Sequence, residues 1–361
     1  MPRHFFIICG FVLLGTAGGC EAAPLTLARR STVALPTQGT DQFGAAFTIA
    51  GLSAITYVDP TRSGGAEPAP GGDHRFIAVM DNSNKVIEFS LRFDDTGSIT
   101  QCTVIRAISL PIAHDWEGAA FTDAARDCII LSDEDRPGLS EFRLADGALL
   151  RDIAVPSIYA QRRSNLGLES LSSRERTDHF WLGNEEALGV DGPISSPTTG
   201  TDVRLSLLHI GPQGSSTLLR QVVYRTEPVH GALINGARSG LSDLVALPDG
   251  RLLALERSFG LASPLFLSRI YEINTAATDV RTQTTGLVAG TFSRCSKTLL
   301  YSGGHNNLEG LCLGPRLNAL SRWSMVGIID DGDPISINQI VSFALEGLTA
   351  KPRELSVAPA R

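Results

Sequence analysis

Asp115-Trp116-Glu117-Gly118-Ala119-Ala120-Phe121, a polar turn at Thr122 to Asp127, and Cys128-Ile129-Ile130-Leu131-Ser132-Asp133-Glu134 read together as a β-hairpin. A carboxylate stands near the start of the first apolar strand, and others stand at the end of the second. Antiparallel pairing sets those two ends side by side, so the carboxylates meet at one rim of the sheet. The chain repeats this arrangement. Asn165-Leu166-Gly167-Leu168-Glu169-Ser170-Leu171 returns as Phe180-Trp181-Leu182-Gly183-Asn184-Glu185-Glu186. Gly240-Leu241-Ser242-Asp243-Leu244 returns as Leu252-Leu253-Ala254-Leu255-Glu256, and Asn307-Leu308-Glu309-Gly310-Leu311 returns as Met325-Val326-Gly327-Ile328-Ile329-Asp330-Asp331. A weaker copy opens with Gly51-Leu52-Ser53-Ala54-Ile55 and returns as Phe76-Ile77-Ala78-Val79-Met80-Asp81.

The five copies stand about 50 to 70 residues apart, near the upper end of the periods of propeller blades. Each is followed by a further strand-like run: Lys85 to Leu91, Leu139 to Leu144, Val203 to Ile210, Leu265 to Asn274 and Ile335 to Leu345. The return strands are short and apolar on both faces, as in sheets stacked between neighbours. No segment after the N-terminus keeps a helical period. The pattern predicts an all-β fold, a β-propeller of about five to six blades closed by an N-terminal strand.

Around this frame, residues 1–23 read as an export signal: Arg3, an apolar core from Phe5 to Leu14, then small residues. About ten apolar residues are too few to span a bilayer. Cleavage near Ala22 or Ala23 and lipidation at Cys20, in Ala17-Gly18-Gly19-Cys20, are both open. The chain is thus expected in the periplasm, anchored to the outer membrane through lipid on Cys20, or secreted. Residues 24–44 hold an N-terminal segment, with Thr32 to Leu35 or Ala45 to Ile49 as the strand that closes the ring. The propeller takes residues 45–346, with loops at Thr61 to Asp73 and Leu188 to Thr201, and a tail covers 347–361. Export gives the cysteines a role. Cys102–Cys128 and Cys295–Cys312 is the local pairing, and four buried thiols are the alternative. A net charge of −7 spread along 361 residues argues against a nucleic-acid partner, and a monomer is expected.

The rim collects Asp81, Glu117, Asp133, Glu134, Glu169, Glu185, Asp243, Glu256, Glu309 and Asp330. Carboxylates packed so densely repel unless something offsets them. A hard cation such as Ca²⁺, which takes six to eight oxygen ligands, is one solution; Glu117, Asp133, Glu134, Glu169, Glu185, Asp243, Glu256, Glu309 and Asp330 are its candidate ligands. Basic side chains in the loops before the first strands, His114, Arg162, Arg163, Arg238 and His305, are another. A recurring acid that simply bonds the next blade's amides is the structural alternative. Glu117, Glu169, Asp243 and Glu309 recur at one point of successive hairpins, so ring symmetry turns them to one axis as candidate catalytic groups. Arg163, Arg238, His114 and His305 are candidate substrate contacts. The sequence has no GxSxG, GxxxxGK[ST] or HExxH motif. Metal-activated water or a carboxylate base is therefore the chemistry expected of an enzyme here.

Asp115-Trp116-Glu117-Gly118, Ser132-Asp133-Glu134, Asn165 to Glu169, Gly240 to Asp243 with Leu252 to Arg257, and Asn307 to Gly310 resemble the phytase-like family labelled "esterase-like activity of phytase". The resemblance covers about residues 45 to 346 and implies a β-propeller that hydrolyses phosphoesters or esters. Ser170 stands where Gly commonly follows Glu, and Ile329-Asp330-Asp331-Gly332 lacks the Asn that often follows the acid. The expected function is an exported, metal-dependent hydrolase of a small anionic ester. A lactonase-like propeller and a non-catalytic envelope scaffold are the alternatives.

Overall fold

The computed structural model describes residues 23–66, 68, 71–122, 127–173, 178–211, 213–317, 322–330 and 337–348. The expected export segment up to residue 22, Cys20, Asp331 and the tail beyond residue 348 lie outside the described residues. Three strands come first: β1 (Thr26–Ala34), β2 (Gln38–Thr40) and β3 (Ala46–Thr48). Blade one is β4 (Leu52–Tyr57), β5 (His74–Met80), β6 (Ser83–Phe93) and β7 (Ile99–His114). Blade two is β8 (Trp116–Phe121), β9 (Cys128–Asp133), β10 (Gly138–Arg143) and β11 (Leu149–Ile153). Blade three is β12 (Leu168–Ser173), β13 (His179–Asn184), β14 (Asp202–Ile210) and β15 (Ser216–Arg225). Blade four is β16 (Arg238–Ala246), β17 (Leu252–Phe259), β18 (Phe266–Asn274) and β19 (Ser296–Gly303). Blade five is β20 (Leu308–Arg316), β21 (Trp323–Ile329) and β22 (Gln339–Glu346), with β1 as its outermost strand.

Among the described residues there are thus five four-stranded antiparallel sheets, and no sixth. β1 runs against β22 from Thr26↔Glu346 to Ala34↔Gln339 and closes the ring. Of the two expected closing runs, the one at Thr32 does this, within a longer strand. The other becomes β3 and pairs with β2 in a separate two-stranded sheet. Closure removes the open edge that a sheet presents to other chains.

Double-sided burial of the return strands has a direct cause. Each of the five apolar clusters lies between two neighbouring blades: Phe76 and Phe89 meet Val326 and Ile328, Val79 and Ile77 meet Trp116 and Phe121, and Ile130 meets Leu168 and Leu171. Trp181 and Leu205 meet Leu241 and Leu244, and Leu253 and Leu255 meet Leu308 and Phe343. At the axis the innermost strands approach backbone to backbone. A Cβ on Gly118 would come within 2.7 Å of Leu171 N, and one on Gly310 within 2.9 Å of Ser53 O.

Neither expected disulfide forms. Cys102 lies on β7, the outer strand of blade one, whereas Cys128 opens β9 of blade two. Cys295 packs between blades three and four, and Cys312 sits on β20 within the cluster between blades five and one. Sequence proximity misled because each pair straddles a blade boundary. Burial pushes the Cys102 thiol up to about 12 and the Cys295 thiol up to about 11, so these thiols are poor nucleophiles.

Gly118→Ala should lower stability by about 1–3 kcal/mol, because the added methyl meets backbone that cannot move aside. Denaturant unfolding of the variant beside the parent measures this, and an unchanged midpoint would contradict the close approach.

Candidate functional site: two rings of side chains about the propeller axis

Every first strand of a blade carries a β-bulge at the same place. The register skips Ser53 in β4, Glu117 in β8, Glu169 in β12, Ser242 in β16 and Glu309 in β20. A bulged residue leaves the ladder and re-aims its side chain. These five residues form a first ring. Directly after the paired part of the second strands come Asp81, Glu134, Glu185 and Asp330, whose N–H groups bond to Gly51, Asp115, Gly167 and Asn307 carbonyls. Arg257, paired with Gly240, holds the corresponding position of blade four. These five residues form a second ring.

The two rings converge. Glu117 feels Glu309, Glu134, Asp115 and Asp81, while Glu169 feels Glu117, Glu185, Glu134 and Glu309, so side chains of four blades act on one another. Burial and then this mutual repulsion hold the Glu117 and Glu169 carboxyls well above the usual range. Burial raises Asp115 and Glu134 as well, and their carboxyl groups share a hydrogen bond, which requires a proton on one of them. Two acidic triads stand out, Asp81–Asp115–Glu117 and Glu134–Glu169–Glu185. In each, one oxygen per residue lies within 4.8 Å of the others.

The offsetting charge comes from Arg257 and Arg238. Arg257 bonds Glu309, Asn307 Oδ1 at 2.7 Å and Glu185 Oε1 at 2.9 Å. Arg238 reaches Glu185 Oε2 at 3.3 Å and remains half-buried. Asn307, held in the left-handed region at φ 34, also donates to Asp330 Oδ2 at 2.9 Å. Such backbone in a non-glycine residue is uncommon and persists where the surroundings fix it. Arg257 was not among the expected site residues. A cation at the ring position that is acidic in the other four blades is the signal that could have found it.

The structure brings together Glu117, Glu134, Glu169, Glu185, Glu309 and Asp330, and separates others. Asp243 is not at the bulge: Ser242 is, and Asp243 lies one position on, where it accepts from Leu311 N at 2.7 Å and Leu244 N at 2.7 Å. It is a latch between blades four and five. Asp133 and Glu256 precede the ring positions by one residue and so face the other side of their strands. Asp133 binds His114 and Arg136 N, and Glu256 binds Tyr224, Lys297 and Glu227 N. Three of the four expected substrate contacts are engaged elsewhere. His114 stacks on Trp116 and bonds Asp133, and Arg163 donates to Ala187 O and Gly192 O. His305, bonded to Tyr301 at 2.8 Å, is driven down to about 4 by burial and is neutral. Arg162 likewise binds Asp135.

Among the described residues, the carboxyl groups of Asp81, Asp115, Glu117, Glu134, Glu169, Glu185, Glu309 and Asp330 thus gather where Arg238 and Arg257 supply guanidinium groups. Asp115 Oδ1 and Glu309 Oε2 are buried without a hydrogen-bond partner among the described residues. Oxygen donors in excess, with buried lone pairs unused, fit a hard cation. These acidic clusters could bind a metal ion.

The family described as "Phytase-like: Esterase-like activity of phytase" matches residues 48–331. No curated protein matches the sequence. Among solved structures, a luciferin-regenerating enzyme is similar at 11% identity and a TM-score of 0.39, over 90% of this chain and 96% of that one. The polycomb repressive complex 2 of Chaetomium thermophilum gives 9% identity and a TM-score of 0.34, over 84% and 68%. Hydrazine synthase of Kuenenia stuttgartiensis gives 10% and 0.33, over 74% and 56%.

Beside the rings, Glu186 accepts from Ser195 N at 2.6 Å and from Ser195 Oγ at 3.0 Å, and burial raises its carboxyl to about 7. The folded chain therefore holds this proton more tightly than the unfolded chain, where the value is 4.5. Its contribution to stability is complete below pH 4.5 and is lost as pH rises through about 7. Glu186→Gln, which keeps an acceptor, should flatten the decline in melting temperature across that window; an unaltered slope would place the titration elsewhere.

Proposed function

The chain belongs to the phytase-like family, and from that premise we propose that it is an exported hydrolase of small anionic esters, a phosphoester above all. The observation that carries the reading is the pair of buried carboxyl oxygens on the axis, Asp115 Oδ1 and Glu309 Oε2, that have no hydrogen-bond partner among the described residues, beside two acidic triads. A hard divalent cation such as Ca²⁺, held by the acidic triads, would supply Lewis-acid polarisation of the ester oxygen and offset the repulsion of an anion by an acidic channel.

The chain's own residues supply the rest. Glu169, whose carboxyl keeps a proton well above the usual range, is suited to give that proton to a leaving oxygen near neutral pH. Arg238 has spare donors at the channel, being half-buried with one 3.3 Å contact to Glu185, and suits an anionic oxygen of the substrate. Arg257 positions Glu185 and Glu309 rather than meeting substrate, since its guanidinium is taken up by Glu185, Asn307 and Glu309. Export, with the periplasm or outer membrane as destination, rests on the character of residues 1–23. The scaffold reading keeps one specific support: Asp243 and Asp330 accept Leu311 N and Leu52 N of neighbouring blades, so some axial acids are structural.

Hydrolysis of p-nitrophenyl phosphate and p-nitrophenyl acetate by the purified chain tests the proposal. Turnover is expected to fall on treatment with a chelator and to return with CaCl₂. Glu169→Gln should reduce kcat by about 10²–10⁴-fold, the usual contribution of a positioned acid or base, with the melting temperature held or raised. Absence of turnover on both esters with calcium present would leave the scaffold reading.

A further inference from the structure

Blade four differs from the others in how far its inner hairpin runs. The bulged residue is the second of β4, β8, β12 and β20 but the fifth of β16. β5, β9, β13 and β21 end one residue before the second ring, whereas β17 carries on past Arg257 to Phe259. The pairing of Arg238 with Phe259 therefore stands beyond both rings. At about 3.3 Å per residue, this part of blade four rises roughly 7–10 Å past the acids, as a wall at one side of them.

The top of the wall is held by hydrogen bonds and is apolar. Ala232 and Leu261 exchange backbone bonds of 3.3 and 2.9 Å, and Gly260 N bonds Leu265 O at 3.1 Å. A Cβ on Gly231 would come within 2.7 Å of Leu261 O. His230 is tied to Ser258 Oγ at 2.9 Å and to Pro264 O at 2.8 Å. On this frame Leu233 is 60% and Leu261 59% exposed. Phe259, opposite Arg238, is half-buried with its ring centroid 4.7 Å from that of Phe266. Blade three adds Ile194, 45% exposed, next to Ser195, whose Oγ accepts from Ser239 N at 2.8 Å. Apolar side chains kept in water by a fixed frame offer hydrocarbon surface that a ligand can cover without first ordering a loop.

Arg238 stands at the foot of this surface with its one 3.3 Å contact to Glu185. Other arginines of the rim are committed to the protein itself: Arg162 to Asp135, Arg163 to Ala187 O and Gly192 O, and Arg257 to Glu185, Asn307 and Glu309. The charge here suits one anionic head, and the wall above it suits hydrocarbon.

We propose that blade four selects amphiphilic substrates: a single phosphoryl head meets Arg238, and an alkyl or aryl group lies along Phe259, Leu261 and Leu233. The inference rests on the anion contact of the reading above and deepens it by fixing the class of the group that the head carries.

The test uses the full chain with CaCl₂ present and follows the binding of methylphosphonate and butylphosphonate by calorimetry. Both keep the head and neither can be hydrolysed. Butylphosphonate should bind at least about tenfold more tightly, part of what burying three methylenes yields, and Leu233→Gln and Leu261→Gln should each cut that ratio at least about threefold. Arg238→Gln should weaken both phosphonates and keep the ratio. A ratio near one, a ratio untouched by both leucine variants, affinity unaltered in Arg238→Gln, or no phosphonate bound would overturn the proposal. Turnover of p-nitrophenyl phosphate in any of those cases keeps the hydrolase reading. Phosphonates bound as expected, with no ester turned over, support the amphiphile site and sink the hydrolase reading alone.

Discussion

Closing five sheets on one axis drives a ring of bulged side chains and a ring of strand-end side chains into the same narrow space, and the balance of charge there governs the rest of the molecule. The bulges at Glu117, Glu169 and Glu309 turn carboxyls out of their ladders toward the axis, and Asp81, Glu134, Glu185 and Asp330 arrive from the returning strands. Without Arg257 the second ring would consist of acids alone. Its guanidinium spans blades three to five and lets two glutamates stay close. A buried charge of this kind adds little net stability compared with an apolar pair of equal volume. Removing one member, however, strands the others at roughly 3–5 kcal/mol.

Much of this architecture was legible in the sequence because a repeated hairpin must be stacked to bury both of its faces. The apolar runs of the return strands follow from that alone, whereas the choice between the Thr32 and Ala45 runs as the closing strand came only with the pairing of β1 and β22. The site was legible only in part. Leu241-Ser242-Asp243 looks like Leu308-Glu309-Gly310 with its acid moved by one residue, yet in a strand one residue reverses the side on which a group emerges. Asp243 thereby latches a neighbour's N–H, while the hydroxyl of Ser242 takes the ring position. Asp133 and Glu256 fail for the same reason, each a residue short of the ring. The missing disulfides are a different case, since nearness along the chain says nothing about which side of a blade boundary a residue lies on.

The acids divide by what meets them. Asp243 and Asp330 find backbone N–H groups of the next blade, Glu185 finds two arginines, and Glu256 finds Lys297 beneath Tyr224 and Tyr271. Glu117 and Glu169 find mainly one another and further acids. An acid whose partners are other acids is the sort that an ion, a proton or a substrate can change, and this distinction separates function from architecture more sharply than position on the rim does.

The pairing of β1 with β22 has a consequence for how the molecule is made. Thr26 must meet Glu346, so one of the first strands to leave the ribosome is among the last to find its place. The chain entropy of joining two points so far apart grows only as the logarithm of their separation, and the thermodynamic burden is modest. The kinetic burden is larger, because folding slows as contacts become more distant along the chain. Until β1 docks, β22 presents an unpaired edge of the kind that recruits strands from other molecules. Ring closure is therefore a late step in which correct folding competes with aggregation, and the nine residues of β1 decide the outcome for the whole ring.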